Sequence, residues 1–167
     1  MKKVYAREEY CLGCKLCEVY CVTSHSESKD VVKAHKMEEI TPRVIVESTG
    51  EVSFALQCRH CDDAPCTKAC ITGALQKDPE TGIVGYNQEK CVGCWTCIMT
   101  CPYGAIKRDE YGRSIISKCD LCIETGEPVC VVNCPNNALV FIDLAEKQGE
   151  GVEEQDKLVK EQGGCRD

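Results

Sequence analysis

Short apolar runs separated by polar turns predict small antiparallel hairpins along the chain. Residues 43–47 and 52–56 are rich in Val, Ile and Phe and flank a Ser-Thr-Gly-Glu turn. Such a turn between two apolar runs is a typical hairpin signal. The other predicted strands cover residues 83–86, 106–108, 114–117 and 139–142, the second and third of them as a hairpin.

Two longer segments lack a clear apolar period. Residues 24–40 are polar with mixed charges, so we predict a loop with at most one helical turn. Residues 146–167 are charged and Gly-flanked, and a mobile tail is the favoured interpretation. The alternative for this tail is a weak amphipathic helix carried by Val152, Leu158 and Val159.

The apolar content is too low to build a large organic core. The hydrophobic fraction of 43% includes 17 cysteines, and the chain has two Phe and one Trp. Without the cysteines the apolar share is roughly a third, against a usual 45–50%. Bound inorganic groups would have to replace part of the core, so we expect the metal-free chain to be largely unfolded.

Sixteen of the 17 cysteines fall into four regularly spaced groups. The first and third groups have the C-x2-C-x2-C-x3-C spacing of bacterial ferredoxins, and the second and fourth lengthen only the middle gap. A proline follows the third and fourth groups. The groups are Cys11, Cys14, Cys17 and Cys21; Cys58, Cys61, Cys66 and Cys70; Cys91, Cys94, Cys97 and Cys101; and Cys119, Cys122, Cys130 and Cys134.

This spacing favours four 4Fe–4S clusters. Three thiolates two residues apart can wrap one cluster, and the fourth points towards a neighbouring cluster. Four zinc sites are an alternative, but zinc usually joins two separate C-x2-C pairs and needs no third nearby cysteine. A disulfide scaffold is a further alternative, which would require an oxidising compartment and normally a signal peptide.

A repeated turn-and-strand pattern follows three of the groups, at residues 71–75, 102–106 and 135–139. Duplication of a two-cluster ferredoxin is the simplest account of this repeat. The predicted fold is therefore α+β, with duplicated bacterial-type ferredoxin-like modules, short hairpins, and an irregular chain stabilised by clusters.

Several longer motifs resemble a known family. They are Cys-Arg-His-Cys-Asp-Asp-Ala-Pro-Cys at 58–66, Lys-Cys-Val-Gly-Cys-Trp-Thr-Cys at 90–97, and Cys-Pro-Tyr-Gly-Ala-Ile at 101–106. With the order of the four groups, they resemble the four-cluster electron-transfer subunits of the dimethyl sulfoxide reductase beta-subunit type. The short soluble subunits of carbon monoxide dehydrogenase–hydrogenase, formate dehydrogenase and tungsten aldehyde oxidoreductase systems are the most similar members. The resemblance covers residues 3–143.

The resemblance implies how the four groups share their ligands. Groups one and four form one module, from residues 3–25 and 114–143, and groups two and three form the other, residues 52–113. The modules make one compact unit, 1–143, followed by the charged tail, 144–167. The implied ligand sets are Cys11, Cys14, Cys17 and Cys134; Cys58, Cys61, Cys66 and Cys101; Cys70, Cys91, Cys94 and Cys97; and Cys21, Cys119, Cys122 and Cys130.

The same resemblance implies a linear row of clusters, in the order one, four, three, two. The group-one end is expected to face a catalytic subunit. Long insertions and a membrane-contacting C-terminal segment, present in larger relatives, are missing from this chain. This difference favours a soluble partner.

Few residues outside the sixteen carry a predicted role. His60 is interpreted either as an N–H donor to a cluster sulfur or as a solvated loop residue. Trp95 is predicted to pack over a cluster, with partner docking as the alternative. His25 and His35 are predicted to be solvated, and Cys165 to be a free thiol in the tail. Lys15, Arg59, Lys68 and Lys118 are expected at the surface, where they can offset cluster charge.

The leading functional hypothesis is a non-catalytic electron-transfer subunit. The sequence contains no recognisable catalytic constellation or phosphate loop. The expected partners are a catalytic redox subunit and a second carrier, namely a ferredoxin, a hydrogenase or a flavoprotein. A freestanding polyferredoxin and a cluster-delivery factor are the alternatives, and self-association stays open.

Charge and hydropathy limit the location and the partners. The net charge of −7 falls to about −15 with four clusters, so nucleic-acid binding is not expected. The N-terminus lacks an apolar signal-peptide region, and no stretch approaches the length of a membrane span. The expected location is the cytoplasm.

Overall fold

The computed structural model describes residues 2–143, which form a small mixed helix and strand fold. The predicted tail, including Val152, Leu158, Val159 and Cys165, lies outside the described residues. Eight strands are present in the described part of the chain: β1 (Lys2–Ala6), β2 (Ile45–Thr49), β3 (Val52–Leu56), β4 (Leu75–Lys77), β5 (Val84–Tyr86), β6 (Ile106–Arg108), β7 (Ile116–Lys118) and β8 (Leu139–Asp143). They form four two-stranded antiparallel sheets, β1–β8, β2–β3, β4–β5 and β6–β7.

Short helices follow the cysteine loops. They are α1 (Leu16–Ser24), α2 (Val31–Met37), α3 (Pro65–Lys68), α4 (Thr96–Thr100) and α5 (Val129–Val132), with 3₁₀ turns at Glu8–Tyr10 and Gln88–Lys90. Pro65 begins α3, where its fixed φ suits the first helical turn and its missing N–H costs nothing. Each of these helices except α2 contains a cysteine of the predicted ligand groups.

The hairpins predicted from the apolar runs are confirmed, with small shifts of their ends. Strand β2 continues to Thr49 and pairs Val46 with Ala55, so the turn shortens to Gly50 and Glu51. Gly50 adopts φ +63°, which suits glycine in a tight turn. Pairing of Lys107 with Ser117 forms the second predicted hairpin.

Strand β1 was not predicted, because its partner is far away in the sequence. It pairs antiparallel with β8, bringing Val4 opposite Phe141. This pairing joins the two ends of the described chain.

The prediction that residues 24–40 form a loop was wrong. Helix α1 continues to Ser24, and α2 begins after Asp30, whose carboxylate accepts a hydrogen bond of 2.9 Å from the Lys33 N–H. An aspartate in this position satisfies an otherwise unpaired N–H of the first turn. Ala34 is fully buried. A single small buried side chain is too weak a signal to show as an apolar period.

Two small cores contain both aliphatic side chains and thiols. The first includes Val4, Val44, Val46, Leu121 and Leu139, with Cys17, Cys21, Cys58, Cys119 and Cys130. The second includes Leu75, Val84, Ile106 and Ile116, with Cys66 and Cys97. The thiols of the predicted ligand groups therefore occupy positions that aliphatic side chains hold in an ordinary core.

None of the described helices combines the length and apolar character that crossing a bilayer requires.

Candidate metal centres

The first cysteine group lines a small cavity. The 3₁₀ turn ends at Cys11, Lys15 adopts a left-handed conformation with φ 60°, and α1 begins at the next residue. This path brings Cys11, Cys14 and Cys17 together around this small cavity, which Cys134 also lines. The structure thus brings together the whole of the first predicted ligand set.

The third group repeats this geometry. Trp95 occupies the position of Lys15 with φ 62°, and α4 begins at the following residue. The small cavity here is lined by the complete predicted set, Cys70, Cys91, Cys94 and Cys97. The 3₁₀ turns that precede Cys11 and Cys91 also begin alike, because Arg7 and Asn87, the residues before them, both have φ −107° and ψ 109°.

The remaining two sets are more deeply buried. Cys130 interacts electrostatically with Cys119, Cys21 and Cys122, which are the other three members of its predicted set. Burial raises the pKa of Cys119 to about 12 and raises that of Cys130 further. Such thiols stay protonated unless a metal displaces the proton, so binding of metal here would be coupled to proton release.

The second set is partly assembled in the structure. Burial raises the pKa of Cys66 to about 11, and the neighbouring Cys58 and Cys101 act on it in the same direction. Cys61 is less buried and lines the adjacent surface cavity beside Asp62. Cys101, the fourth cysteine of group three, therefore lies near two thiols of group two.

The implied order of the groups needs a correction. The thiol of Cys119 interacts electrostatically with both Cys21 and Cys58, so group two lies beside group four. Cys58 and Cys119 also share the first core, whereas Cys97 of group three lies in the second. The order in the structure is one, four, two, three. Packing between distant segments sets this order, and cysteine spacing carries no information about it.

Backbone and hydroxyl groups donate to several of the sulfurs. The N–H groups of Arg43 and Ala138 lie 3.3 Å and 3.2 Å from the sulfurs of Cys21 and Cys134. The Leu121 N–H lies 3.4 Å from the sulfur of Cys119. Donors of this kind stabilise thiolates and tune the reduction potential of a bound cluster.

A buried nitrogen of His60, inside the group-two loop, has the chemistry expected beside a bound cluster. His60 is 1% exposed, so the interpretation of a solvated residue was wrong. Its Nδ1 accepts a 2.9 Å hydrogen bond from the Val84 N–H, and its buried Nε2 has no protein partner among the described residues. Burial lowers the pKa of His60 to about 3, and Lys118 acts in the same direction. The ring is therefore neutral, and its proton sits on Nε2, where a cluster sulfur would accept it.

Lys118 also departs from its predicted position at the surface. It is 6% exposed, and its Nζ donates to the carbonyl oxygens of Val84 at 2.5 Å and of Cys119 at 2.7 Å. Lys15, Arg59 and Lys68 are exposed as predicted. The guanidinium of Arg59 lies 4.4 Å from the ring centre of Tyr103.

His25 is part of a partly buried ion-pair network, so its predicted solvation was wrong. Its Nε2 lies 3.3 Å from an Asp120 carboxylate oxygen, and Arg43 binds the other oxygen. Burial opposes protonation of His25, but Asp120 outweighs it and raises the pKa of His25 to about 9. Arg43 and Asp120 were not identified from the sequence, because residues so far apart share no local motif. His35 is exposed, as predicted.

His25, Asp120 and Cys122 also place ligand atoms within 4.8 Å of one another. The carboxylate already pairs with Arg43 and accepts from the Cys122 N–H. The charge of Asp120 is thus balanced by protein groups.

Trp95 lines the cavity of the third group. It is 36% exposed, and the guanidinium of Arg108 lies 5.2 Å from its ring centre. The indole therefore shields one side of the cavity and leaves part of its surface in contact with solvent. Beside it Cys94 is exposed, and the Thr96 hydroxyl lowers the pKa of its thiol.

A family model and several curated relatives match this chain, and all carry iron–sulfur or electron-transport descriptions. A family model described as "4Fe-4S dicluster domain" matches residues 50–144. The chain is 37% identical over 155 residues to the electron transport protein HydN of Escherichia coli K12, with 84% of this chain and 87% of the relative covered. It is 39% identical over 158 residues to the iron-sulfur protein of Rhodospirillum rubrum, with 84% and 82% covered.

More distant similarities extend to multi-component enzymes. The beta subunit of NADH-dependent phenylglyoxylate dehydrogenase of Aromatoleum evansii is 33% identical over 157 residues, which cover 93% of this chain and 33% of the relative. A chain of the benzoyl coenzyme A reductase active site complex BamBC is 22% identical, with a TM-score of 0.46 and coverage of 98% and 92%. The family model spans more than half of the chain, and HydN aligns over most of its length, so this chain belongs to the 4Fe-4S dicluster domain family of iron–sulfur electron-transfer proteins.

Proposed function

We propose that this chain is a non-catalytic subunit that relays single electrons through four 4Fe–4S clusters. One observation carries the proposal: each of two cavities is lined by a complete predicted set of four cysteines. The other two sets contribute buried thiols that lie close together, and metal binding there would release their protons. In this proposal the chain is a short member of the dimethyl sulfoxide reductase beta-subunit type.

Each cluster, when bound, supplies a one-electron couple. The protein's own groups exclude water, position the sulfurs and adjust their electrostatic surroundings. Valine and leucine side chains of the two cores surround the inner thiols. The N–H groups of Arg43, Leu121 and Ala138 donate to ligand sulfurs, and His60 offers a further N–H.

The proposed division into two modules is supported by the strand pairs. The β1–β8 sheet joins residues from both parts of the module formed by groups one and four. The sheet β4–β5 lies within the module formed by groups two and three, whereas β6–β7 connects the two modules by pairing Lys107 with Ser117. Each module would then hold two clusters in the manner of a bacterial ferredoxin.

Exposure of ligand thiols at two places indicates where electrons could enter and leave. Cys14 of group one and Cys94 of group three are both exposed. In the proposed order, these groups are the two ends of the row. We assign the group-one end to a catalytic subunit, as the family resemblance implies, and the group-three end to a second carrier.

The proposed catalytic partner is a tungsten or molybdenum aldehyde or formate oxidoreductase, or a carbon monoxide dehydrogenase. The second partner is a ferredoxin, a hydrogenase or a flavoprotein. Relatives named as an electron transport protein and as a dehydrogenase subunit support a role beside a redox enzyme. A reducing compartment keeps cysteines available for cluster assembly, so the cytoplasm is the proposed location.

Anaerobic isolation of the native complex tests this function. We expect about sixteen iron atoms per chain, four for each of four clusters, and stable co-purification with a larger redox subunit. Metal analysis of that subunit distinguishes the partners: tungsten or molybdenum indicates an aldehyde or formate oxidoreductase, and nickel indicates a carbon monoxide dehydrogenase or a hydrogenase. A colourless protein, or one with far less iron, would refute the proposal.

A freestanding polyferredoxin is the second candidate. The exposure of both end thiols, Cys14 and Cys94, favours it, because a diffusing carrier needs accessible clusters to exchange electrons with several enzymes. Purification separates the two candidates. A carrier elutes alone with its full iron content, whereas a subunit elutes with a fixed partner.

A further inference from the structure

Lys118 places a buried positive charge between two of the predicted cluster sites. It ends strand β7, and the next residue is the ligand candidate Cys119. Two of the three ammonium protons are used by the carbonyl oxygens of Val84 and Cys119. Among residues 2–143, no carboxylate oxygen lies within 4.0 Å of its Nζ.

An ammonium group in such a place needs a nearby negative charge. Removing an ion from water is costly, and backbone carbonyl dipoles compensate only part of that cost. The candidates for the counter-charge are the flanking thiolates. Cys119 of group four follows Lys118 directly in the chain, and Cys58 of group two packs in the same core as Cys119.

His60 is held in the same place by the same residue. Val84 is 1% exposed; its N–H donates to His60 Nδ1, and its carbonyl oxygen accepts from Lys118 Nζ. The backbone of a single buried residue of β5, Val84, therefore orients both side chains. His60, with its unpaired Nε2, lies in the group-two loop, and Lys118 directly precedes Cys119 of group four. Val84 therefore connects the two groups through its two hydrogen bonds.

We propose that Lys118 and His60 form an electropositive link that raises the reduction potentials of the two inner clusters, those of groups two and four. This inference rests on the proposed four-cluster function. Burial in a low-dielectric core disfavours the extra negative charge of a reduced cluster, so the inner positions would otherwise resist reduction. The link offsets that penalty and lets electrons pass the middle of the row.

The test is an anaerobic redox titration of the intact protein, followed by electron paramagnetic resonance. In Lys118→Met, we expect two of the four midpoint potentials to fall together. At a fixed ambient potential, the reduced-to-oxidised ratio of each should drop at least tenfold, which is about 59 mV for a one-electron couple. The two affected clusters should be magnetically coupled neighbours. Lys118→Arg, which keeps the charge, should restore both potentials.

Lys33→Met is the matched control, since Lys33 is exposed on α2. It should leave all four potentials unchanged. Unchanged potentials in Lys118→Met, an equal shift of all four, or the same shift in the control would each overturn the inference. These outcomes are distinct from failure of the proposed function, which would appear as a low iron content in the unaltered protein.

A second variant covers the case in which Lys118→Met does not assemble. His60→Leu removes the unpaired N–H and keeps the buried charge. We expect the potential of one inner cluster, that of group two, to fall while the iron content stays full. If His60→Leu retains its iron and all four potentials are unchanged, the link plays no part in tuning.

Discussion

Two equivalent glycines in the end loops allow a matched test of how the protein holds its cysteines. Gly13 and Gly93 lie between the first and second cysteines of groups one and three, with φ +65° and +68°. A Cβ added at Gly13 would lie 2.8 Å from the Ser53 Oγ. At Gly93 the nearest atom would be the Ile115 Cγ2, at an ordinary 3.5 Å.

The expected costs follow from this difference. Alanine in a left-handed conformation costs about 1–2 kcal/mol, which is the whole effect expected for Gly93→Ala. In Gly13→Ala, Ser53 must also rotate and lose its 3.2 Å hydrogen bond with Ser48. That loss adds about 0.5–1.5 kcal/mol. Gly13→Ala should therefore destabilise its loop by about 1 kcal/mol more than Gly93→Ala, about fivefold in a local opening equilibrium.

The assay is the rate at which an iron chelator bleaches the visible cluster absorption under anaerobic conditions. When opening of a loop is fast and precedes iron loss, the rate reports the population of the open state. Gly13→Ala should lose its first iron about fivefold faster than Gly93→Ala. In a Ser53→Ala background the hydrogen bond is already absent and the crowded oxygen is gone, so Gly13→Ala should speed iron loss there only by the factor that Gly93→Ala produces in the unaltered protein. Equal rates for the two single variants, or an undiminished effect of Gly13→Ala in the Ser53→Ala background, would refute the reasoning.

Three further predictions concern the core, the ion-pair network and the metal. The Ile106 side chain is 1% exposed, so Ile106→Ala should lower the free energy of unfolding by about 2–5 kcal/mol and speed bleaching of the clusters. The control Met99→Ala, at an exposed side chain, should leave the bleaching rate unchanged. Similar rates for the two variants would contradict the assigned core. Asp120→Asn removes the charged partner of His25 and Arg43 and should lower the free energy of unfolding by about 1.5–3 kcal/mol. The control Asp63→Asn, at the surface, should have little effect. Equal bleaching rates for the two variants would contradict this prediction. Complete iron removal should abolish the cooperative thermal transition followed by circular dichroism, because the thiols belong to both cores; a transition that persists would count against this.

Local sequence patterns predicted much of the site. Residues two or three positions apart must lie close together, so the spacing of Cys11, Cys14 and Cys17 already implied a shared loop. The structure places them around one cavity. Hairpin signals were equally local, and the turn at Gly50 was found where the pattern indicated it.

Contacts between distant segments were less accessible. Strand β1 depends on β8, and the pairing of Asp120 with Arg43 joins residues that no motif connects. Lys118 carries no mark in the sequence that distinguishes it from the exposed Lys68. Burial of a lysine depends on what packs around it, and that is a property of the folded chain.

The sequence by itself determined which thiols form groups and what chemistry those groups suit, because covalent spacing limits the distances within each loop. Only the tertiary structure decided that group two lies beside group four and that Lys118 and His60 lie between them. The physical reason is that these neighbours are selected by packing of strands and loops that are far apart in the sequence. Electrostatic coupling between the sites depends on that packing, since it varies with distance and burial.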